Sequence, residues 1–100
     1  VFTAWRDFNN RLLPTGEEIY RLRLDARGSW FLELQSGTEV HIGRQSARAR
    51  LDRLVASWPA LMNGRALPPR LIDLRYTNGF AVRWPAAKEQ YAGTYGEKSR

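Results

Sequence analysis

Hydrophobic residues near the start of the chain recur every three or four positions, which predicts a helix over residues 2–13 with one apolar face. The face consists of Phe2, Trp5, Phe8 and Leu12. Pro14 and Gly16 end the helix. Because an aromatic face at this position needs a surface to pack on, we expect that more of the protein precedes Val1.

From Glu18 onward the hydrophobic period changes to two, which predicts β-strands. Three such runs follow one another. Their apolar positions are Tyr20, Leu22 and Leu24 in the first, Trp30, Leu32 and Leu34 in the second, and Val40 and Ile42 in the third. The polar residues between them predict strands with one solvated face.

The register of these strands follows from the rule that paired residues share a face of the sheet. Pairing Leu22 with Leu32, and Leu32 with Val40, leaves two three-residue turns. Each turn ends in a glycine, Gly28 or Gly37, as is typical of hairpins whose last turn residue is left-handed. We therefore predict an antiparallel three-stranded meander.

A second helix is predicted between residues 45 and 62, where the helical period returns. Its apolar stripe contains Ala47, Leu51, Leu54, Val55, Trp58, Leu61 and Met62. Pro59 lacks a backbone donor and predicts a kink or an early end near Ser57. We interpret Arg44, Arg48, Arg50 and Arg53 as its solvated side.

The last alternating segment lies on both sides of Thr77-Asn78-Gly79 and predicts a hairpin. A three-residue turn ending in a left-handed Gly79 keeps the apolar residues on one face, whereas a two-residue turn would mix faces. The pairs are then Tyr76 with Phe80, Leu74 with Val82, and Ile72 with Trp84. The final strand has no successor in residues 1–84, so we expect one edge of it to be unpaired.

The predicted fold class is α+β: an antiparallel β-sheet, formed by the three-stranded meander and the C-terminal hairpin, with two helices packed on one face. Residues 1–84 are expected to share one core, and residues 85–100 to form a disordered polar tail. No run of residues approaches the roughly 20 apolar positions that a membrane span needs. The chain has no cysteine, which excludes disulfides and thiolate chemistry.

The net charge of +6 arises from fourteen arginines and two lysines against ten acidic residues. Arginine pairs well with carboxylates and phosphates, so acidic partners are favoured. His41 is the single histidine, and no nucleophile motif or phosphate-binding glycine loop accompanies it. We therefore predict no enzymatic activity, no metal and no cofactor.

Two classes of binding protein remain open at this point. Arginines and aromatic residues on an antiparallel sheet are compatible with a nucleic-acid-binding module. Against it, Trp30, Phe80 and Trp84 lie on the apolar alternation and should be buried. A module that associates with itself along the terminal strand is the other alternative.

Residues 73–84, DLRYTNGFAVRW, resemble the closing hairpin of the FtsQ/DivIB family of bacterial cell-division proteins. The likeness continues upstream, where RGSWFLEL, IGR, LDRL and WPAL are similar to the family's strand, turn and helix in the same order. It covers most of residues 1–84 and concerns only the later part of the family's β domain.

The resemblance implies a non-enzymatic scaffold of the divisome, located in the periplasm and held at the septal inner membrane by a transmembrane helix outside this chain. Its implied partners are FtsB, which adds a strand to the last strand of the sheet, and FtsL. Through them the protein would support the septal peptidoglycan synthase. No nucleic acid is implied.

The same resemblance implies a set of partner-binding residues. They are Tyr76, the turn glycine Gly79, Trp84 near the strand end, Phe80 and Val82 along the strand, and Arg27 and Arg75. The two arginines would face acidic residues of FtsB.

Overall fold

The computed structural model of the chain describes residues 2–77 and 79–85. The elements are α1 (Phe2–Leu12), a 3-10 turn (Leu13–Thr15), β1 (Ile19–Leu24), β2 (Trp30–Leu34), β3 (Glu39–Gly43), α2 (Ala47–Met62), β4 (Leu71–Asp73) and β5 (Ala81–Arg83). The predicted succession of helices and strands is confirmed. Of the predicted tail, residues 86–100 lie outside the described residues, as does Asn78 of the predicted turn.

The five strands form one sheet in the order β1-β2-β3-β4-β5. The α+β class is confirmed, but the sheet is mixed, because β3 and β4 pair in parallel while the other neighbours are antiparallel. The parallel pairing arises because α2 carries the chain from the end of β3 back to the start of β4. None of the described helices is both long and apolar enough to span a membrane.

The meander has the predicted register. Leu22 pairs with Leu32, which pairs in turn with Val40. Both turns are three residues long and close on left-handed glycines, with φ angles of 88° at Gly28 and 97° at Gly37. A glycine has no Cβ to clash in this conformation, so the turns hold the register that the hydrophobic pattern favours.

One residue of β1 departs from the predicted alternation. The register shifts between Ile19 and Arg21, and this irregularity turns Tyr20 outward, where 54% of it is exposed. Ile19 takes the buried position instead. The extra residue of a β-bulge reverses the faces on one side of it, which a strict period of two does not predict.

The core lies between one face of the sheet and the two helices. A cross-strand row of Leu22, Leu32, Val40, Ile72 and Val82 supplies the sheet side. Phe8 and Leu12 of α1, and Leu51, Leu54 and Trp58 of α2, are buried against it. The packing of both helices on this face agrees with the prediction.

The early end of α2 predicted near Ser57 is wrong, because the helix continues through Pro59 to Met62. Pro59 is exposed. Water can therefore satisfy the carbonyl that loses its donor, and the helix tolerates the proline at this position.

An ion-pair network joins the two helices. Asp7 of α1 accepts hydrogen bonds from Arg11 (3.0 Å) and from Arg48 of α2, while Arg11 also bonds Asp52 of α2 at 2.6 Å. Partial burial raises the pKa of Asp7, but the hydrogen bonds from Arg48 and Arg11 outweigh it and leave the pKa below its ordinary value. The network therefore favours the ionised carboxylate.

The predicted register of the terminal hairpin is wrong. Ile72 pairs with Val82, not with Trp84, and β4 and β5 are joined by a longer loop, residues 74–80. Gly79 has a φ angle of 142°, which is positive but far from the left-handed turn conformation that was predicted. The three-residue turn is absent because the loop has contacts of its own with α2 and with β3, described below.

Candidate partner-binding edge

The strand β5 lies at one end of the sheet order and is paired, among the described residues, with β4 alone. Its side chains alternate as predicted, with Val82 half-buried and Ala81 and Arg83 exposed. An edge strand of this kind presents a row of unused main-chain donors and acceptors.

The hydrogen bonds on the other side of β4 show which groups of β5 face outward. The amide of Leu74 donates to the His41 carbonyl (2.8 Å), and the amide of Glu39 donates to the Arg70 carbonyl (2.9 Å). Even-numbered residues of β4 thus face β3, so odd-numbered residues face β5 and pair with Ala81 and Arg83.

The Arg83 carbonyl faces β4, since it accepts a bond from the amide of Arg70, the residue before β4, at 2.8 Å. Arg70 departs from the alternation of β4, because its carbonyl bonds β3 while its amide bonds β5. Because main-chain groups alternate along a strand, the amide and carbonyl of Val82 point away from β4. We call the outward side of β5 the β5 edge, which consists of Val82 on the strand and Phe80 and Trp84, the residues that flank the strand. These are three of the residues that the sequence analysis assigned to partner binding.

Arg75 lies just beyond β4, and its guanidinium is already paired. Its Nε and Nη2 atoms each lie 2.8 Å from one carboxylate oxygen of Asp73, in a two-pronged ion pair. The hydrogen bond from Arg75 is the main cause that holds the pKa of Asp73 below its ordinary value. Arg75 is exposed, so its remaining donors face solvent and a partner carboxylate would share the guanidinium with Asp73.

The stem of Arg75 rests on Gly43 at the end of β3. A Cβ atom at Gly43 would lie 3.1 Å from Cγ of Arg75 and 3.2 Å from Nη1 of Arg50. Gly43 is buried and has a φ angle of 86°, so its backbone conformation favours glycine and a larger residue would also have to displace the two arginine side chains slightly. The end of β3 at Gly43 thus packs against Arg75, near the start of the β4–β5 loop.

Arg27 lies in the turn between β1 and β2, which reaches the same end of the sheet. Its carbonyl accepts a long hydrogen bond (3.5 Å) from Nη1 of Arg44, the residue after Gly43. The side chain of Arg27 is exposed. The structure thus brings Arg27 and Arg75 to one end of the sheet, on either side of the β3–α2 turn.

The loop between β4 and β5 is held by α2. The guanidinium of Arg53 donates from Nη1 to the Gly79 carbonyl at 3.4 Å. Tyr76, in the same loop, is 55% exposed. Arg50 and Arg53 are half-buried and bond the main chain of β3 and of this loop, so their interpretation as a solvated helix side is wrong.

Trp84 lies at the far end of the β5 edge and is half-buried. The guanidinium carbon of Arg65, in the loop after α2, lies 3.9 Å from the centre of its ring. Such a stack is a cation–π contact, and it covers one face of the indole. Phe80, at the other end, packs against the hydrophobic core.

The surroundings of the β5 edge are basic. Between residues 63 and 85 the sequence has four arginines and a single acidic residue, Asp73. Arg75 already neutralises Asp73. The edge therefore favours an acidic segment, because a basic one would be repelled.

The face of the sheet opposite the helices carries His41. Its ring meets Phe31 edge-on at 5.0 Å, and its Nε2 lies 3.6 Å from Glu39. Arg23 covers the Phe31 ring at 4.3 Å, so that ring has little surface left for a nucleic-acid base. Residues 2–77 and 79–85 contain no group of three or more side chains suited to holding a metal ion.

Sequence reasoning missed Arg53 and Arg65. Arg53 contacts Gly79 and Arg65 contacts Trp84, on either side of the terminal strand. Each pair is more than fifteen positions apart in the chain, so no local spacing indicates the contact. The pair Asp73 and Arg75 was detectable in principle, since residues two apart in an extended segment share a face.

Comparison with known proteins shows the family to which the chain belongs. The family model "Cell division protein FtsQ/DivIB, C-terminal" matches residues 1–75. Cell division protein FtsQ of Xanthomonas campestris pv. campestris is 51% identical over 82 residues, which are 82% of this chain and 29% of that protein. Cell division protein FtsQ of Allochromatium vinosum is 42% identical over 84 residues, 83% of this chain and 32% of that protein.

The match to cell division protein FtsQ of Shewanella oneidensis extends over 100 residues at 32% identity, covering all of this chain and 38% of that protein. These relatives define the class as bacterial cell-division proteins. The chain belongs to the FtsQ/DivIB family, and it corresponds to the C-terminal region described by the family model. It spans 29% to 38% of the length of these three relatives, and the β5 edge lies beyond the residues that the family model matches.

Proposed function

We propose that this chain is the partner-binding part of a non-enzymatic divisome scaffold. It binds FtsB, together with FtsL, by adding a strand of FtsB to the β5 edge, and through them it supports septal peptidoglycan synthesis. The site consists of Phe80, Val82 and Trp84 along the strand, with Tyr76 and Gly79 in the adjoining loop and Arg27 and Arg75 at the end of the sheet.

The observation that carries the proposal is the outward direction of the main-chain groups of Val82 at the end of the sheet order. An added strand would form a ladder with these groups, and its alternate side chains would contact the half-buried face of β5. The basic surroundings of the edge favour an acidic segment and discriminate against basic ones.

Membership of the FtsQ/DivIB family supports a proposed location at the division site. A scaffold of the divisome acts in the periplasm at the septum, and a membrane anchor in another part of the protein would hold it to the inner membrane. The chemistry of the site fits such a role, since strand addition requires no cofactor or metal.

Amide hydrogen exchange tests the proposal directly. The chain is mixed with a synthetic peptide of the FtsB segment, and exchange is followed by NMR. We expect the Val82 amide to gain protection on binding, whereas the amides of Ala81 and Arg83, which face β4, are protected in both states. Binding of the peptide with no change at Val82 would show that the β5 edge is not the site.

A pair of proline variants provides a matched control. Val82→Pro removes an outward donor from β5, and we expect it to abolish peptide binding. Leu24→Pro removes an outward donor from β1 at the opposite edge, since the Asp25 amide bonds the Ser29 carbonyl at 3.0 Å and Leu24 therefore faces away from β2. Leu24→Pro should leave binding unchanged.

Self-association along the β5 edge is distinguished from peptide binding by its dependence on the concentration of the chain. If the Val82 amide becomes protected as the chain is concentrated without peptide, and the mass doubles, the edge serves a second copy of this chain and the FtsB assignment is wrong. A mass that stays constant together with peptide-dependent protection supports the assignment.

A further inference from the structure

The stacked pair of Arg65 and Trp84 lies where an added strand would pass. Arg65 follows α2, and its amide donates to the Met62 carbonyl at 3.0 Å, which fixes the main chain next to the helix end. Its guanidinium carbon lies 3.9 Å from the centre of the Trp84 ring. Trp84 ends the β5 edge, so the two residues form one composite surface.

The charge of Arg65 is uncompensated within residues 2–77 and 79–85. Arg75 at the same end of the chain has Asp73 within 4 Å, and Arg11 has Asp7 and Asp52. Arg65 has none among the described residues. A guanidinium that stacks on a ring uses its flat face and keeps its in-plane N–H donors available.

The geometry of strand addition places one side chain of the partner beside this pair. Directly opposed residues on neighbouring strands have Cβ atoms about 5 Å apart, and they share a face of the sheet. The partner residue opposite Trp84 would therefore lie beside the indole ring and within reach of the guanidinium stacked on it.

From this arrangement we infer that Arg65 is a specificity residue of the β5 edge, which selects an aspartate or glutamate at the partner position next to Trp84. The carboxylate accepts hydrogen bonds from the in-plane donors of the guanidinium, and the stack on Trp84 holds those donors in place. Trp84 acts here as a platform for Arg65, with one ring face covered. The inference rests on the proposed strand addition and adds the chemistry of one partner side chain.

A double-mutant cycle tests the inference. The FtsB peptide is prepared as the natural sequence and with each aspartate or glutamate changed singly to asparagine or glutamine, and each form is titrated against the chain and its Arg65→Gln variant. We expect Arg65→Gln to weaken binding of the natural peptide by about threefold to tenfold. One carboxylate change should cost a similar factor with the natural chain and nothing further with Arg65→Gln.

Two further variants separate this role from a general effect of charge. Arg83→Gln removes the same charge from the other face of β5, and it should weaken binding less and show no coupling to that carboxylate. Trp84→Leu removes the platform and should abolish the coupling. Hydrogen exchange of the Ala81 and Arg83 amides, which face β4, in each free variant checks that β5 is still formed.

The outcomes of the two proposals are distinguishable. If the natural peptide does not bind the unaltered chain, strand addition itself fails. If the peptide binds and no carboxylate couples to Arg65, or if Arg65→Gln tightens binding because Arg65 obstructs Trp84, the specificity role of Arg65 is overturned while strand addition stands.

Discussion

The meander of β1 to β3 and the terminal hairpin of β4 and β5 differ in what determines their register. In the meander, short turns closed by Gly28 and Gly37 leave one register compatible with the hydrophobic pattern. In the terminal hairpin a longer loop permits several registers, and the observed one accompanies parallel pairing of β4 with β3. A tight turn permits few registers, so the local sequence determines which residues pair. A long loop permits several registers, and tertiary contacts then determine which one forms.

The meander and the terminal hairpin also differ in what they contribute, since the meander supplies core residues and the hairpin supplies a sheet edge. The inner strands of the meander, β2 and β3, are paired on both sides and bury Leu32, Leu34, Val40 and Ile42. The strand β5 is three residues long and paired on one side among the described residues, with Val82 half-buried and Ala81 and Arg83 exposed. A short edge strand contributes little to the core and leaves main-chain groups available for a partner.

The largest expected contrast between the two regions concerns their core positions. Leu32→Ala in the meander should lower the free energy of unfolding by about 3 kcal/mol, because its buried side chain leaves a cavity. Val82→Ala in the half-buried terminal strand should cost about 1 kcal/mol. Urea unfolding measures both, and equal losses would contradict the distinction.

Substitutions of Gly37 and Gly79 test whether the positive φ angle at each position is one that asparagine also tolerates. Gly37→Ala should cost about 1 kcal/mol, and Gly37→Asn less, because asparagine tolerates the left-handed conformation that Gly37 adopts at 97°. Gly79 has a φ angle of 142°, where asparagine has no such advantage. Thermal unfolding should therefore show rescue by asparagine at position 37 and none at position 79.

The ion pairs between the helices predict a dependence of stability on pH. The pKa of Asp7 is lowered in the folded chain, so its contribution is complete well above the ordinary value of 3.8 and is lost as the pH falls through and below it. Asp7→Asn should lower stability by about 1 kcal/mol at pH 7 and flatten the dependence between about pH 5 and pH 3. Melting temperatures of both proteins over this range provide the check.

Asp73 predicts a smaller effect of the same sign in the terminal hairpin. Its pKa is also lowered, chiefly by the hydrogen bond from Arg75, so its contribution is likewise lost on acidification. Because Arg75 is exposed, Asp73→Asn should cost less than about 1 kcal/mol. It should also free Arg75 and tighten binding of an acidic peptide, and weaker binding would show that Asp73 is needed to orient Arg75.

Some residues of the predicted site have positions that follow from the local sequence, and others have positions that depend on tertiary contacts. Val82 lies on the terminal strand as the alternation predicted, whereas Phe80 and Trp84 flank the strand, which is shorter than the predicted residues 80–84. The position of Arg27 at the same end of the sheet as Arg75 depends on the β3–α2 turn at Gly43 and Arg44, which brings distant segments together. The pairing of Arg75 with Asp73 changes what the arginine offers to a partner.

The sequence by itself determined the two helices, the meander with its glycine turns and the existence of a terminal strand, because these depend on periodicity and on backbone conformations available within a few residues. Tertiary structure alone decided the parallel pairing of β4, the register of β5, and the contacts of Arg53 and Arg65 with Gly79 and Trp84. Each of those depends on segments far apart in the chain, whose contacts form only when α2 packs on the sheet.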